Sequence, residues 1–248
     1  EGSVGYYDRG DSFYGDKIEG REYTFDKEDT AESFTFGGPI IKDKAFFYVT
    51  YEDTLVTNPV LYGPAGSGAA NEQAITQAQV DNIRNITQSK YGWDPLGVAT
   101  TTESKQENTS IRIDYIVNDN HRLTYNYKLT EGDRLRASGS NSSFYYESAS
   151  YFKGEETDTS SILLVSDWAD NLISEIYYSN KSTDTSQESP AGQNVPNFYI
   201  DDAYGMRVYL GADIYRSANA LATETDFFKG KLTYYTGDHK ITAGYEQT

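Results

Sequence analysis

The chain has 248 residues and a formal net charge of −17, from 21 Lys+Arg against 38 Asp+Glu; 15% of it is aromatic, including 23 Tyr. Nucleic acid is excluded as a partner because no Lys/Arg cluster is present to meet phosphates, and the absence of Cys removes disulfides, thiolate catalysis and Cys-based metal centres. Low aliphatic content with abundant Tyr, Gly, Ser, Thr and Asp predicts an all-β chain with polar loops, too aromatic to be disordered.

In chain order, the first feature is a polar, acidic stretch over 10–32. Asp8, Asp11 and Asp16, near Gly10 and Gly15, approach a calcium-loop pattern but miss its spacing. A tight turn follows at Lys42-Asp43-Lys44. After it Ala45, Phe47, Val49 and Tyr51 alternate with Phe46, Tyr48, Thr50 and Glu52, the period-two signature of a strand with one apolar face. Residues 53–106 read as a long loop. Within it Asn71 to Tyr91 predicts the one helix, with Ala74, Ile75, Ala78, Ile83 and Ile86 near i, i+3, i+4 spacing and Gly92 as its stop.

Ile111, Ile113 and Tyr115 then alternate up to the turn Asn118-Asp119-Asn120, and Leu123, Tyr125, Tyr127 and Leu129 lead away from it. After a polar loop over 131–156, Ile162, Leu164 and Trp168 lead into the turn Ala169-Asp170-Asn171, with Leu172, Ile176 and Tyr178 beyond. A last polar loop over 183–222 precedes Phe228, Leu232 and Tyr234, the turn Thr236-Gly237-Asp238, and Ile241, Ala243 and Tyr245. Asp, Asn and Gly supply the left-handed conformations such hairpins need. The chain opens at Glu1 without an initiator Met and stops inside an alternating pattern, which reads as a piece of a longer protein.

Tight turns thus alternate with long loops, and soluble sandwiches usually have short connections at both ends. Strands of about 9–12 residues match the length that crosses a bilayer at a tilt. The expected fold is an antiparallel up-and-down transmembrane β-barrel, partial, with about nine strands of a larger barrel and one short helix in a long loop.

The block Gly37-Gly38-Pro39-Ile40-Ile41-Lys42-Asp43-Lys44-Ala45-Phe46-Phe47-Tyr48-Val49-Thr50-Tyr51-Glu52 closely resembles the first barrel hairpin of TonB-dependent outer-membrane receptors, nearest the Oar-like group with a carboxypeptidase-regulatory-like domain. Arg112 to Tyr115 through Asn118 to Thr124 looks like a second hairpin of that family, and Ser166 to Leu172 like another. The resemblance implies a barrel of about 22 strands around an N-terminal plug, energy-coupled uptake of a scarce solute, and residence in the cell outer membrane. It also implies the partners: the plug domain of the same full-length chain, TonB through the missing N-terminal part, and outer-membrane lipid. Residues 1–248 then form a partial barrel, with neither plug nor TonB-binding segment. An isolated open sheet of this kind is not expected to insert as a functional barrel.

No catalytic constellation, cofactor motif or metal pattern stands out, so the expectation is a protein that is not an enzyme and holds no cofactor. His121 and His239 read as surface residues beside turns. Asp201-Asp202 and Glu155-Glu156 read as solvated charge, because strand neighbours point to opposite faces. Tyr near strand ends suits the lipid–water boundary. Trp93, Tyr145, Tyr146 and Tyr204 are the loop aromatics placed to contact a ligand, and Arg112, Asp114, Lys128 and Glu175 are expected to face a lumen and hydrogen-bond the plug. The alternative is a soluble all-β module binding carbohydrate or protein, its strand faces covered by a small core or by water.

Overall fold

The computed structural model describes residues 1–15, 17, 18, 21, 22, 27–192, 194–217 and 219–248. The strands, in order, are β1 (Gly2–Arg9), β2 (Lys17–Ile18), β3 (Arg21–Glu22), β4 (Glu28–Ile41), β5 (Ala45–Pro59), β6 (Tyr62–Ala65) and β7 (Asn71–Thr76). After helix α1 (Gln77–Ile86) come β8 (Thr101–Asn118), β9 (His121–Arg136), β10 (Ser143–Tyr145), β11 (Tyr151–Ala169), β12 (Leu172–Glu188), β13 (Phe198–Ala203), β14 (Met206–Leu210), β15 (Ala220–Thr236) and β16 (His239–Gln247). Nine of these strands form one sheet, in the order β1-β4-β5-β8-β9-β11-β12-β15-β16, and every neighbouring pair is antiparallel. We call this sheet the wall.

The four predicted turns are the bends β4–β5, β8–β9, β11–β12 and β15–β16. In a sequential antiparallel sheet these connections share one rim, and the long connections share the other. β1 and β16 run in the same direction, so the two edges of the wall cannot pair antiparallel with one another.

The wall strands from β4 to β15 are 14 to 19 residues long, longer than the alternating patterns suggested. Residues 28–32, 53–59, 101–106, 131–136, 151–156, 183–188 and 220–222, read as loop, are the far ends of these strands. They lack apolar alternation because hydrogen bonds rather than burial hold them. Besides the backbone ladder, Thr54 Oγ1 donates to the Gln106 carbonyl at 3.2 Å and Thr102 Oγ1 to the Asn58 carbonyl at 3.4 Å across strands, contacts of the kind that stabilise polar strand pairs.

The register gives the wall one apolar and one mainly polar face. One row runs Phe47, Ile113, Tyr125, Ile162, Tyr178 and Phe228; the next runs Ala45, Tyr115, Leu123, Leu164 and Ile176. This face is uncovered: Ile162, Ile176, Leu232 and Tyr245 are 40%, 43%, 46% and 61% exposed. Arg112, Asp114, Lys128 and Glu175 occupy the opposite face, among Ser110, Thr124 and Asn126.

A second unit, the cap, stands on the long-loop rim. It is assembled from connections 60–100, 137–150 and 189–219, and holds the parallel pair β6–β7, helix α1 and the small sheet β10-β14-β13. The buried hydrophobic core of the chain lies in it: Ile75, Val80, Ile83, Phe144, Tyr146, Met206, Val208 and Leu210. The helix is shorter than expected. Asn71–Thr76 is strand, and Thr76 caps α1 reciprocally with Gln79, a capping box that fixes the start. Thr87–Tyr91 continue as a π-helical turn, and Gly92, at φ 76°, ends it as predicted.

Gly211, at the end of β14, has φ +80°, and a Cβ there would lie 1.7 Å from the Pro196 carbonyl oxygen. Gly211→Ala is therefore expected to cost the cap about 2 kcal/mol or more. Hydrogen exchange at the Val208 and Leu210 amides should accelerate while exchange in β8 and β9 stays unchanged.

Candidate functional site

The four candidate loop aromatics all belong to the cap, but they do not converge on one site. Tyr146 is packed into the core of the cap rather than set on its surface. It is fully buried, its ring sits edge-on to Phe144 at 5.2 Å, and its hydroxyl donates to the Val80 carbonyl at 2.6 Å. Burial pushes the phenol above its ordinary pKa. Its work is to tie the β10 strap to α1. No local signal marks this burial, since the core around Tyr146 comes from three polar connections that are distant in sequence.

Trp93 is half-buried and meets Phe198 edge-on at 5.8 Å. Tyr204 is exposed at φ 57° in the β13–β14 turn, followed by Gly205 at φ 78°. Tyr145 stacks on Tyr209 at 4.5 Å with nearly parallel rings. Tyr209 lies opposite Tyr199, so Tyr145, Tyr209 and Tyr199 form one row across the small sheet. Arg207 lies over the Tyr199 ring at 4.7 Å and donates to Asp201 Oδ1 at 2.6 Å. Sequence reading missed Tyr199, Arg207 and Tyr209 because nothing local marks β10, β13 and β14 as one sheet.

A cavity of about 270 Å³ opens beside β6, walled by Pro59, Leu61, Pro64, Ala69, Val98 and Thr100 among others. Its loop is pinned by Glu72. That carboxyl lies below its usual pKa because backbone N–H groups of Gly66 and Gly68 donate to it.

The titratable candidates stay apart. His121 sits at the tight rim with its ring 5.1 Å from Trp168, while His239 opens β16, with three strands between them in the sheet. Glu155 and Glu156 point to opposite faces, as expected; Glu155 takes a 3.3 Å contact from Lys153. Asp201 is held by Arg207, whereas Asp202, at φ 55°, has no ion-pair partner among the described residues, so the two form no dyad. Asp8 accepts from the Tyr6 hydroxyl at 3.3 Å, and Asp16 lies outside the described residues.

On the polar face of the wall, Arg112 and Asp114 form a two-bond ion pair at 2.7 and 2.8 Å, and Thr124 Oγ1 donates to Asp114 at 2.8 Å. Lys231 meets Glu175 at 2.5 Å. On the apolar face, Trp168 lies near the tight rim and donates from Nε1 to Ser174 Oγ at 2.8 Å.

The register exposes one arrangement that the sequence hides. Glu32, Asp53, Glu107, Glu131, Glu156 and Asp184 are successive cross-strand neighbours on six adjacent strands. They lie on the apolar face, one row beyond Phe34, Tyr51 and Leu129 toward the long-loop rim. Like charges set opposite one another destabilise a sheet, and only local partners offset this, among them Lys105 at 2.8 Å from Glu107 and the Tyr51 hydroxyl at 3.3 Å from it.

Arg84 and Asp94 tie α1 to the segment after it through bonds of 2.8 and 2.7 Å. The guanidinium, with the Leu96 N–H, holds the Asp94 carboxyl below the usual range. A depressed folded-state pKa gives stability that is present above the unfolded value near about 3.9 and is lost as pH falls through the folded value. Trp93 fluorescence in a Trp168→Phe background should show the cap melting earlier below about pH 4, and Asp94→Asn should remove that part of the slope.

No family model and no curated protein matches the chain. Among solved structures it is similar to the toluene transporter TodX of Pseudomonas putida, at 12% identity and a TM-score of 0.32; the likeness covers 99% of this chain, which spans 63% of the length of that one.

Proposed function

We propose that this chain is part of the transmembrane wall of a TonB-dependent outer-membrane receptor that takes part in energy-coupled uptake of a scarce solute. The carrying observation is the uncovered apolar face of the wall, in register across its strands and bounded by polar strand ends. Columns of Ile, Leu, Phe and Tyr exposed on a sheet this wide suit acyl chains, with aromatic residues such as Trp168 near the boundary. The acidic row then stands just outside the hydrocarbon, where its carboxylates stay hydrated. The hairpin blocks around Lys42-Asp43-Lys44 and Asn118-Asp119-Asn120 add the family resemblance.

In this reading the tight rim faces the periplasm, and the cap stands outside the cell as the first surface a solute meets. The polar face lines a lumen. Arg112, Asp114, Lys128 and Glu175 meet a plug supplied by the full-length protein, and TonB acts through that missing part. Nine strands whose edges run in the same direction need an odd number of further strands to close an antiparallel wall. About 13 more, for the 22-stranded class of plugged transporters, satisfies that parity. The wall residues make and break no covalent bond here; their work is a hydrogen-bonded, lipid-matched boundary.

Arginine placed on the two faces at the same depth tests the reading. In detergent micelles Ile162→Arg, on the apolar face, should lower unfolding stability by about 2–4 kcal/mol, and Ser179→Arg, on the polar face, should leave it nearly unchanged. Equal effects, or a chain that is monomeric and folded without detergent, would support the soluble binding module instead. In planar bilayers the 248-residue chain alone should give no stable single-channel steps, because each unpaired edge group in lipid costs several kcal/mol.

A further inference from the structure

Among the described residues, nothing pairs with the outer edge of β13. β13 is the last strand of the cap sheet, laddered only to β14, and no described residue outside that ladder bonds its backbone. Such an edge is a template for another strand. Phe198 and Ile200 lie opposite Leu210 and Val208, on the core side. There Tyr91 and Trp93 pack against Phe198 and leave an apolar shelf, with Tyr91 67% and Ile200 36% exposed. Near the other end of the strand stand Asp201, already paired with Arg207, and Asp202, which has no cationic partner among the described residues.

We propose that this edge docks an extended, basic peptide segment of a partner protein, which adds to the cap sheet as a fourth strand. Main-chain hydrogen bonds supply the affinity, and alternate side chains supply the choice of partner. On one side of the added strand, aliphatic residues cover the Tyr91–Phe198 shelf and extend the existing core. On the other, Lys or Arg approaches the Asp201–Asp202 end. A chain of net charge −17 steers such a segment inward and repels an acidic one. The proposal needs only the cap, whose core is its own, so it stands or falls separately from the membrane reading.

The probe is a labelled hexapeptide alternating Lys and Val, blocked at both ends, titrated by fluorescence anisotropy into the whole 248-residue chain in detergent. Binding is expected, with slowed hydrogen exchange in β13. Two N-methylated versions, each blocking the N–H groups of one peptide edge, separate strand addition from adsorption. One should lose at least about tenfold in affinity and the other should bind as the parent does. Asp202→Asn, which keeps a residue that tolerates the left-handed backbone, should weaken binding about two- to fivefold. Persistent protection of the Val208 and Leu210 amides verifies that the cap stays folded. The proposal is overturned if nothing binds, if both N-methylated peptides bind as well as the parent, if a Glu/Val peptide binds equally, or if protection falls on β1 or β16 instead.

Discussion

A β-sheet of this width must put both of its faces somewhere, and one face of this wall is apolar and uncovered. Hydrophobic columns six strands across are not packed against helices or a second sheet, although burial of that apolar area is the ordinary source of folding free energy. Every other feature of the wall is consistent with a surrounding medium that is itself apolar. The ladder is continuous between its two edges, so the backbone groups of the inner strands are satisfied without water. The opposite face is mainly polar, with a few aromatic and aliphatic residues such as Leu163, Tyr177 and Phe227 among its charges. The carboxylate row begins where the apolar columns stop.

The chain therefore holds two units with different physics. The cap folds as a small water-soluble protein does, around Ile75, Phe144, Val208 and Leu210, with a capped helix, an Arg84–Asp94 pair and a glycine forced by close backbone approach. The wall has almost no core and takes its order from pairing and register. Tyr146, whose hydroxyl reaches the Val80 carbonyl, shows how closely the cap knits connections that leave the wall at different points.

Much of the wall was legible because period two is a local signal. The alternation Ala45, Phe47, Val49, Tyr51 marks a strand and its face together, and the turns from Lys42-Asp43-Lys44 to Thr236-Gly237-Asp238 mark one rim. The strand ends over 101–106 and 183–188 were not legible, because Thr, Ser, Lys and Glu on both faces look the same in a solvated strand as in a loop. The start of α1 was hidden by Asn71–Thr76, whose spacing mimics a helix, although Thr76 and Gln79 carry the cap signature. The row of six carboxylates and the row Tyr145, Tyr209, Tyr199 are products of register, and register is a long-range property that no short window contains.

The two tryptophans of the chain permit a direct measurement. Trp168 lies on the apolar face near the tight rim and Trp93 lies in the cap. In single-tryptophan variants solubilised in a detergent brominated along its alkyl chain, the account predicts strong quenching of Trp168 and almost none of Trp93. Equal quenching of both, or quenching of Trp93 with Trp168 spared, would contradict the claim that the wall presents its apolar face to lipid.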